Sequence, residues 1–283
     1  MRRNTKAALV IGAALLILGA ALFACALGIG GWDIMKLSTE EYTESTHTFD
    51  TDISDISIVT DTADVFVARS SDAVLRVVCD ERVKMPHSVT AENGVLKISL
   101  KDERAWHEHI SFFSFGKECI YVYLPAGEYG SLSVIADTGD VAVASELSFS
   151  DVSISVSTGD VKLNSAVAGD IKINVSTGKV ALESVRCGSF YSEGDTGNVY
   201  LTNVVATGAF YVERSTGDVV LDASDAASIK IKTDTGDVVG TILTDKIFAI
   251  KTSTGRVRVP DSATGGACNI ETDTGDIKIE IVK

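Results

Sequence analysis

Four Asp-Thr-Gly triplets, at Asp137, Asp195, Asp234 and Asp273, are the residues here whose types most directly suggest catalysis. In an aspartic-protease site such a triplet supplies one of two carboxylates that face each other and share a proton. That chemistry needs two loops converging on one cleft. Here the Thr-Gly pair recurs at Thr138-Gly139, Thr158-Gly159, Thr177-Gly178, Thr196-Gly197, Thr216-Gly217, Thr235-Gly236, Thr254-Gly255 and Thr274-Gly275, and four copies carry Ser157, Ser176, Ser215 or Ser253 in the aspartate place. A feature spelled in every copy cannot mark one active site. Asp or Ser ahead of Thr-Gly is turn chemistry, its side-chain oxygen accepting bonds from nearby amides.

A second set follows each glycine: Asp140, Asp160, Lys179, Asn198, Asp218, Asp237, Arg256 and Asp276. On adjacent strands these would stand about 4.8 Å apart, close enough for divalent cations to bridge neighbouring acids. The calcium-binding repeat Gly-Gly-x-Gly-x-Asp is absent, and Lys179 and Arg256 interrupt the acids. Solvated charge along an outer edge is the expectation, with no metal and no cofactor. The remaining candidates lie in Trp106-His107-Glu108-His109-Ile110-Ser111-Phe112-Phe113-Ser114-Phe115. Two histidines at i, i+2 are not a metal spacing. Trp106, His107, His109, Phe112, Phe113 and Phe115 are expected to pack over one end of the molecule or to present a partner-binding surface. Cys79, Cys119, Cys187 and Cys268 form no CxxC and are too scattered for a disulfide framework, so small buried residues are expected.

The elements that would carry these residues are set by the spacing of the threonines: 20, 19, 19, 20, 19, 19 and 20. Eight copies at a nearly fixed period define a repeat architecture. Apolar residues alternate with polar ones on both sides of the turn, as in Leu132, Val134 before it and Val141, Val143 after it, the signature of strands with one buried face. The inward parity flips at the glycine, which can adopt positive φ without steric cost. Each unit therefore reads strand, turn, strand, loop. One unit is too small to bury a core, and stacking in register supplies it. The expected fold is all-β: a parallel β-solenoid of 19–20 residues per coil over 131–283, preceded by one N-terminal transmembrane helix.

Upstream, Asp61-Thr62-Ala63-Asp64-Val65 spells a degenerate first copy, with Ile56, Ile58 and Val67 in the apolar columns. If the copy is real, Ala63 should take the positive φ of glycine; a negative φ would make it a coincidence of spelling. The 76 residues from Thr62 to Thr138 equal four periods without a further Thr-Gly. Strand-like runs lie near Val74 to Cys79, Val95 to Leu100 and Ile120 to Leu124. Residues 47–130 read as an irregular β region or cap, and 32–46 as a linker.

Residues 7–29 are uncharged and mostly apolar, long enough to cross a bilayer. Arg2, Arg3 and Lys6 precede them and Asp33, Glu40, Glu41 and Glu44 follow. The positive-inside rule then places the N-terminus in the cytoplasm and the body outside, as a single-pass cell-membrane protein with 1–31 as cytoplasmic tip and anchor. A cleaved signal peptide, or a lipid-bearing Cys25, would be the alternatives. The +3 of this segment against a chain total of −14 leaves −17 on the body, which repels phosphate polymers. No nucleic-acid partner is expected.

Phe112-Phe113-Ser114-Phe115, then Ile120-Tyr121-Val122-Tyr123-Leu124-Pro125, then the Asp/Ser-Thr-Gly-Asp-Val units resemble the bacterial "putative adhesin" family of membrane-anchored β-strand-repeat proteins over roughly residues 47–283. The resemblance implies an extracytoplasmic domain of a bacterial, Gram-positive envelope, and it carries no catalytic residues to transfer. The expectation is a non-enzymatic adhesin-like binding or scaffold module whose partner is an envelope protein or a cell-wall component. An accessory protein of an envelope-stress system is the alternative that the resemblance offers. A carbohydrate-active β-helix enzyme would need converging carboxylates on one coil, and no coil is singled out.

Overall fold

The computed structural model describes residues 3–29, 31–32, 41–101 and 117–282. Its single described helix, Arg3–Ile29, is 27 residues long, about 40 Å at helical rise. Ile11–Ile29 has a mean hydropathy of 2.4 and is not buried by the rest of the chain. By length and composition it fits a membrane anchor or a signal sequence.

The rest is β. Strands that precede each Thr-Gly lie in a 13-stranded sheet and those that follow it in a 12-stranded sheet, with the apolar columns between them. Successive copies pair in parallel and in register: Val152 with Leu132, Ile171 with Val152, Phe210 with Phe190, and threonine with threonine. On the other side Val161 pairs with Val141 and Val180 with Val161. At each turn the glycine amide donates to the threonine carbonyl of the next copy, as in Gly139 N to Thr158 O (2.9 Å) and Gly178 N to Thr196 O (2.8 Å). The eight glycines have φ between 131° and 159°. A Cβ on any of them would stand 1.9 to 2.5 Å from the carbonyl oxygen of the neighbouring turn. Glycine is thus required twice, by its φ and by the stacking distance.

The sequence order of the copies is not their spatial order at the C-terminal end. The copy carrying Thr274 pairs directly with the one carrying Thr235, and the copy carrying Thr254 lies outermost. Two side-chain ladders explain why. In the observed order one outward column reads Glu213, Lys232, Glu271, Lys251, alternating in sign, with Lys232 Nζ 3.1 Å from Glu213 and Lys251 paired to Glu271. Sequence order would set Lys232 beside Lys251. Unlike charges side by side are favourable and like charges are not.

The spelling at Asp61 to Val65 is a true copy, although Ala63 does not take the positive φ expected of it. Ile56 pairs with Leu132, Ile58 with Val134 and Val65 with Val141, a direct register of 76 residues rather than four intervening coils. Ala63 escapes the glycine requirement because it starts the turn column. The chain beyond it is Lys117–Leu124, where Asp64 N donates to Glu118 O at 2.9 Å, and its methyl is fully buried.

Beyond this first copy the stack ends differently. Tyr42–Phe49, Leu75–Arg82 and His87–Glu92 pair antiparallel and close that end, making both sheets mixed. The expected linker 32–46 is therefore shorter than its bounds, since a strand begins at Tyr42. Asp72, in the bend before Leu75–Arg82, accepts bonds from Ser70 Oγ (2.6 Å) and Arg76 (2.5 Å), which hold its carboxyl down at about 2. A depressed folded pKa contributes stability above the unfolded value of about 3.9 that is lost as pH falls through the folded one. Carbon-detected NMR titration should show Asp72 still ionised at pH 3, with its midpoint near 2.

Candidate functional site

The described residues bring reactive side chains together in one place that the sequence did not flag. Thr60 Oγ1 lies 3.1 Å from His87 Nε2, and His87 Nδ1 lies 2.8 Å from Glu81. Hydroxyl, imidazole and carboxylate in that order resemble a nucleophilic triad. Cys79, Glu81 and His87 also present ligand atoms within 4.8 Å of one another. The signal was hidden because Thr60, the Cys79–Glu81 pair and His87 come from three strands with no motif spacing. Neither chemistry is accessible as built: the His87 and Glu81 side chains are 1% and 3% exposed. Glu81 already accepts from Ser45 Oγ (2.7 Å) and from the His87 backbone (2.6 Å). Burial, then the Glu81 charge, pushes the Cys79 thiol up to about 12, against the thiolate a metal would need. The cluster reads as a satisfied polar network that ties the antiparallel end to the first copy.

The acidic column after each glycine proves to be structural. Asp140 N donates to Asp64 Oδ1 (2.9 Å), Asp160 N to Asp140 (2.8 Å), Lys179 N to Asp160 (2.8 Å), Asp218 N to Asn198 (2.9 Å), Asp237 N to Asp218 (2.9 Å), Asp276 N to Asp237 (2.7 Å) and Arg256 N to Asp276 (2.8 Å). Each carboxylate caps the next turn. This is the second reason for the terminal order: neither lysine nor arginine can accept a hydrogen bond, so Lys179 breaks the column once and placing Arg256 at its end avoids a second break. Asp160→Asn should keep the bond to Lys179 N and stay within about 0.5 kcal/mol of wild type. Asp160→Ala should cost about 1–2 kcal/mol, as read by urea unfolding.

Of the residues expected to bind a partner, Trp106, His107, His109, Phe112, Phe113 and Phe115 lie outside the described residues. The threonines and glycines of the turns stand where the repeat placed them. The four scattered cysteines are buried and free. Aromatic groups that the sequence reading passed over lie on the outer faces. Phe66, Tyr121 and Tyr123 stack with centroids 5.1 and 6.5 Å apart, and Tyr191 and Tyr211 neighbour each other with Lys230 Nζ 5.0 Å from the Tyr211 ring. Their signal was the polar phase of strands such as Ile120-Tyr121-Val122-Tyr123-Leu124. One groove, about 630 Å³, is lined in part by the buried pair Lys246 and Asp225, 2.6 Å apart. Asp225 also accepts from Thr244 Oγ1 and Ala226 N, so the pair is internally satisfied.

Fold and surface together define a β-repeat module with an apolar N-terminal helix, built from copies that differ mainly in what they show to solvent. The chain belongs to the DUF4097 family, described as Toastrack, whose model matches residues 53–238 and again 170–283. The resemblance read from the aromatic and Thr-Gly motifs is borne out. A Bacteroides fragilis structure described as a putative adhesin is similar at 15% identity, over 84% of this chain and 97% of that one, with a TM-score of 0.52. A Parabacteroides merdae protein with the same description matches at 15% identity over 87% and 98%, TM-score 0.44. A Parabacteroides distasonis protein described as a putative lipid binding protein matches at 17% over 84% and 97%, TM-score 0.40. No curated protein matches the sequence.

Proposed function

We propose that this chain is a non-enzymatic, single-pass membrane protein whose β-solenoid of 19–20-residue coils stands outside the membrane with the N-terminus in the cytoplasm, and that its outer faces bind an envelope protein or a cell-wall component. The observation that carries this reading is the continuity of those faces. Register is kept from Ile58 to Ile270 on one sheet, with a bulge between Ala206 and Ala209 outside that column, so the outward residues beside it line up from copy to copy and no described coil is set apart as a catalytic groove. Half-exposed tyrosines on such columns give rigid contact area at small entropic cost. The charges flanking the apolar helix support the orientation, and membership of the Toastrack family beside adhesin-described structures supports the adhesin-like role.

The test is photo-cross-linking in living cells, with a photoreactive residue at Tyr121 or Tyr211 and, as control, at the exposed Glu146 in an inter-strand loop. The reading expects one recurring envelope protein or wall fragment attached from the tyrosine positions. Absence of any adduct from both faces would overturn it.

A further inference from the structure

The outermost coil differs from all others in charge. Lys246 to Arg258 carries Lys246, Lys251, Arg256 and Arg258 and no acid, whereas Gly266 to Ile281, stacked on its inner side, carries Glu271, Asp273, Asp276 and Glu280 against one lysine. Its two strands, Lys246–Thr254 and Val257–Arg258, are the terminal members of the two sheets, so among the described residues one backbone edge of each is unpaired. The apolar columns are also open here. Val257 is 49% exposed and Phe248, Ile250 and Val259 are only partly buried, and Ile247 on the outward phase is 52% exposed. The opposite end also finishes in two edge strands, Tyr42–Phe49 and His87–Glu92, but these pair antiparallel with the body and carry Glu44 and Glu92 in place of lysine or arginine.

We propose that this coil is a docking edge for an acidic extended segment of a partner protein, which adds as one further strand beneath Lys246–Thr254. The rule that orders the last coils also specifies the guest. The outward column Glu213, Lys232, Glu271, Lys251 alternates in sign, and its next place calls for an acid. The column after the glycines ends in Arg256, which can pair with a carboxylate but can accept nothing from the next amide. Arg256 and Lys251 pair upward with Asp276 and Glu271, yet their side chains remain 90% and 69% exposed, free to face a second acid below. A second copy of this chain fits poorly through the same end, because Lys251, Arg256 and Arg258 would face their own counterparts, Lys246 being buried against Asp225. The edge is distinct from the outer faces and stands whether or not those faces bind anything.

The test uses the full chain in nanodiscs of neutral lipid and fluorescence anisotropy. The probe is a labelled peptide of residues 266–281 with Cys268→Ser, the acidic strand pair that already lies against this coil's inner edge. A peptide of residues 246–258 is the basic control. Saturable binding of the acidic peptide alone is expected, weakened about tenfold by Lys251→Gln with Arg256→Gln and further at roughly 0.5 M salt. Circular dichroism and a one-to-one mass by light scattering would show the variant folded and the chain unpaired. Equal binding of both peptides, no effect of the neutral substitutions in a folded variant, self-association through this end, or binding only to anionic nanodiscs would each overturn the proposal.

Discussion

Gly197→Ala should be among the most damaging single substitutions in this protein, lowering stability by about 4 kcal/mol and the unfolding midpoint by roughly 10 °C. Gly197 holds φ at 131°, and a Cβ there would stand 1.9 Å from Gly178 O, an atom of rigid backbone already engaged in the turn column. Neither the strain nor the overlap can be relieved without breaking register, and register carries the core on both sides. Gly127→Ala is the matched control: the nearest atom to its added methyl is Tyr129 Oη at 4.0 Å. It should change stability by less than about 0.5 kcal/mol. Urea and thermal unfolding of the two variants side by side would decide whether the glycine column is structural or incidental.

Ser192→Ile should cost about 3–5 kcal/mol even though isoleucine is what most copies carry in that column. The reason is Arg214, 2% exposed and placed between Gly194 and Thr233 on the neighbouring strands. Its Nη2 donates to Ser192 Oγ at 2.7 Å, its Nε has no partner, and burial pulls the guanidinium down to about 10. The chain makes room for it with Ser192 and Gly194 in the preceding copy, where Ile173 and Val175 stand one coil earlier. Isoleucine at 192 would both crowd the guanidinium and remove its shortest bond, leaving a buried cation with only the 3.4 Å contact to Glu213 O. Adding Arg214→Val should restore stability to within about 1 kcal/mol of wild type, since the pair would then match the neighbouring copies. A double-mutant cycle measures that coupling. Rescue by Arg214→Val is the sign of a local accommodation, and its absence would place the cost of Ser192→Ile elsewhere.

The repeat was legible because its signals are local. Period-two columns and a glycine at the parity flip fix which face of each strand is buried, and Leu132, Val134, Val141 and Val143 with their counterparts occupy the core as expected. The exceptions fall together. Phe248, Ile250, Val257 and Val259 match the same columns yet are partly open to solvent, because nothing in a copy's own spelling says that the next one will be threaded past it. That order depends on pairs of side chains from different copies, Lys251 with Glu271 and Arg256 with Asp276, and such pairs are invisible until the stack exists. Ala63 is the reverse case. Its copy is genuine without glycine's φ, because the chain on its outer side runs through Glu118 and is not another Thr-Gly turn. The Cys79, Glu81 and His87 cluster is hidden for a similar reason: Leu75–Arg82 and His87–Glu92 belong to different sheets, and only the fold brings their side chains together. The acidic column was read as solvated charge, and only the stacked backbone gives each carboxylate an amide to cap.

Disulfide trapping across the last three coils tests the coil order on which both the ladders and the terminal edge depend. In full-length protein carrying Cys25→Ser, Lys232→Cys with Glu271→Cys should cross-link readily. Those residues are register partners on adjacent strands, about 4.8 Å apart, inside the span a disulfide bridges. Lys232→Cys with Lys251→Cys should not, since Glu271 lies between them and the separation is about 9.6 Å. The native cysteines are buried, and burial holds the thiols of Cys79, Cys187 and Cys268 up at about 12, so they should not compete. Efficient trapping of the first pair alone is the predicted result. Efficient trapping of Lys232→Cys with Lys251→Cys would mean that the copies stack in sequence order, and would contradict the account.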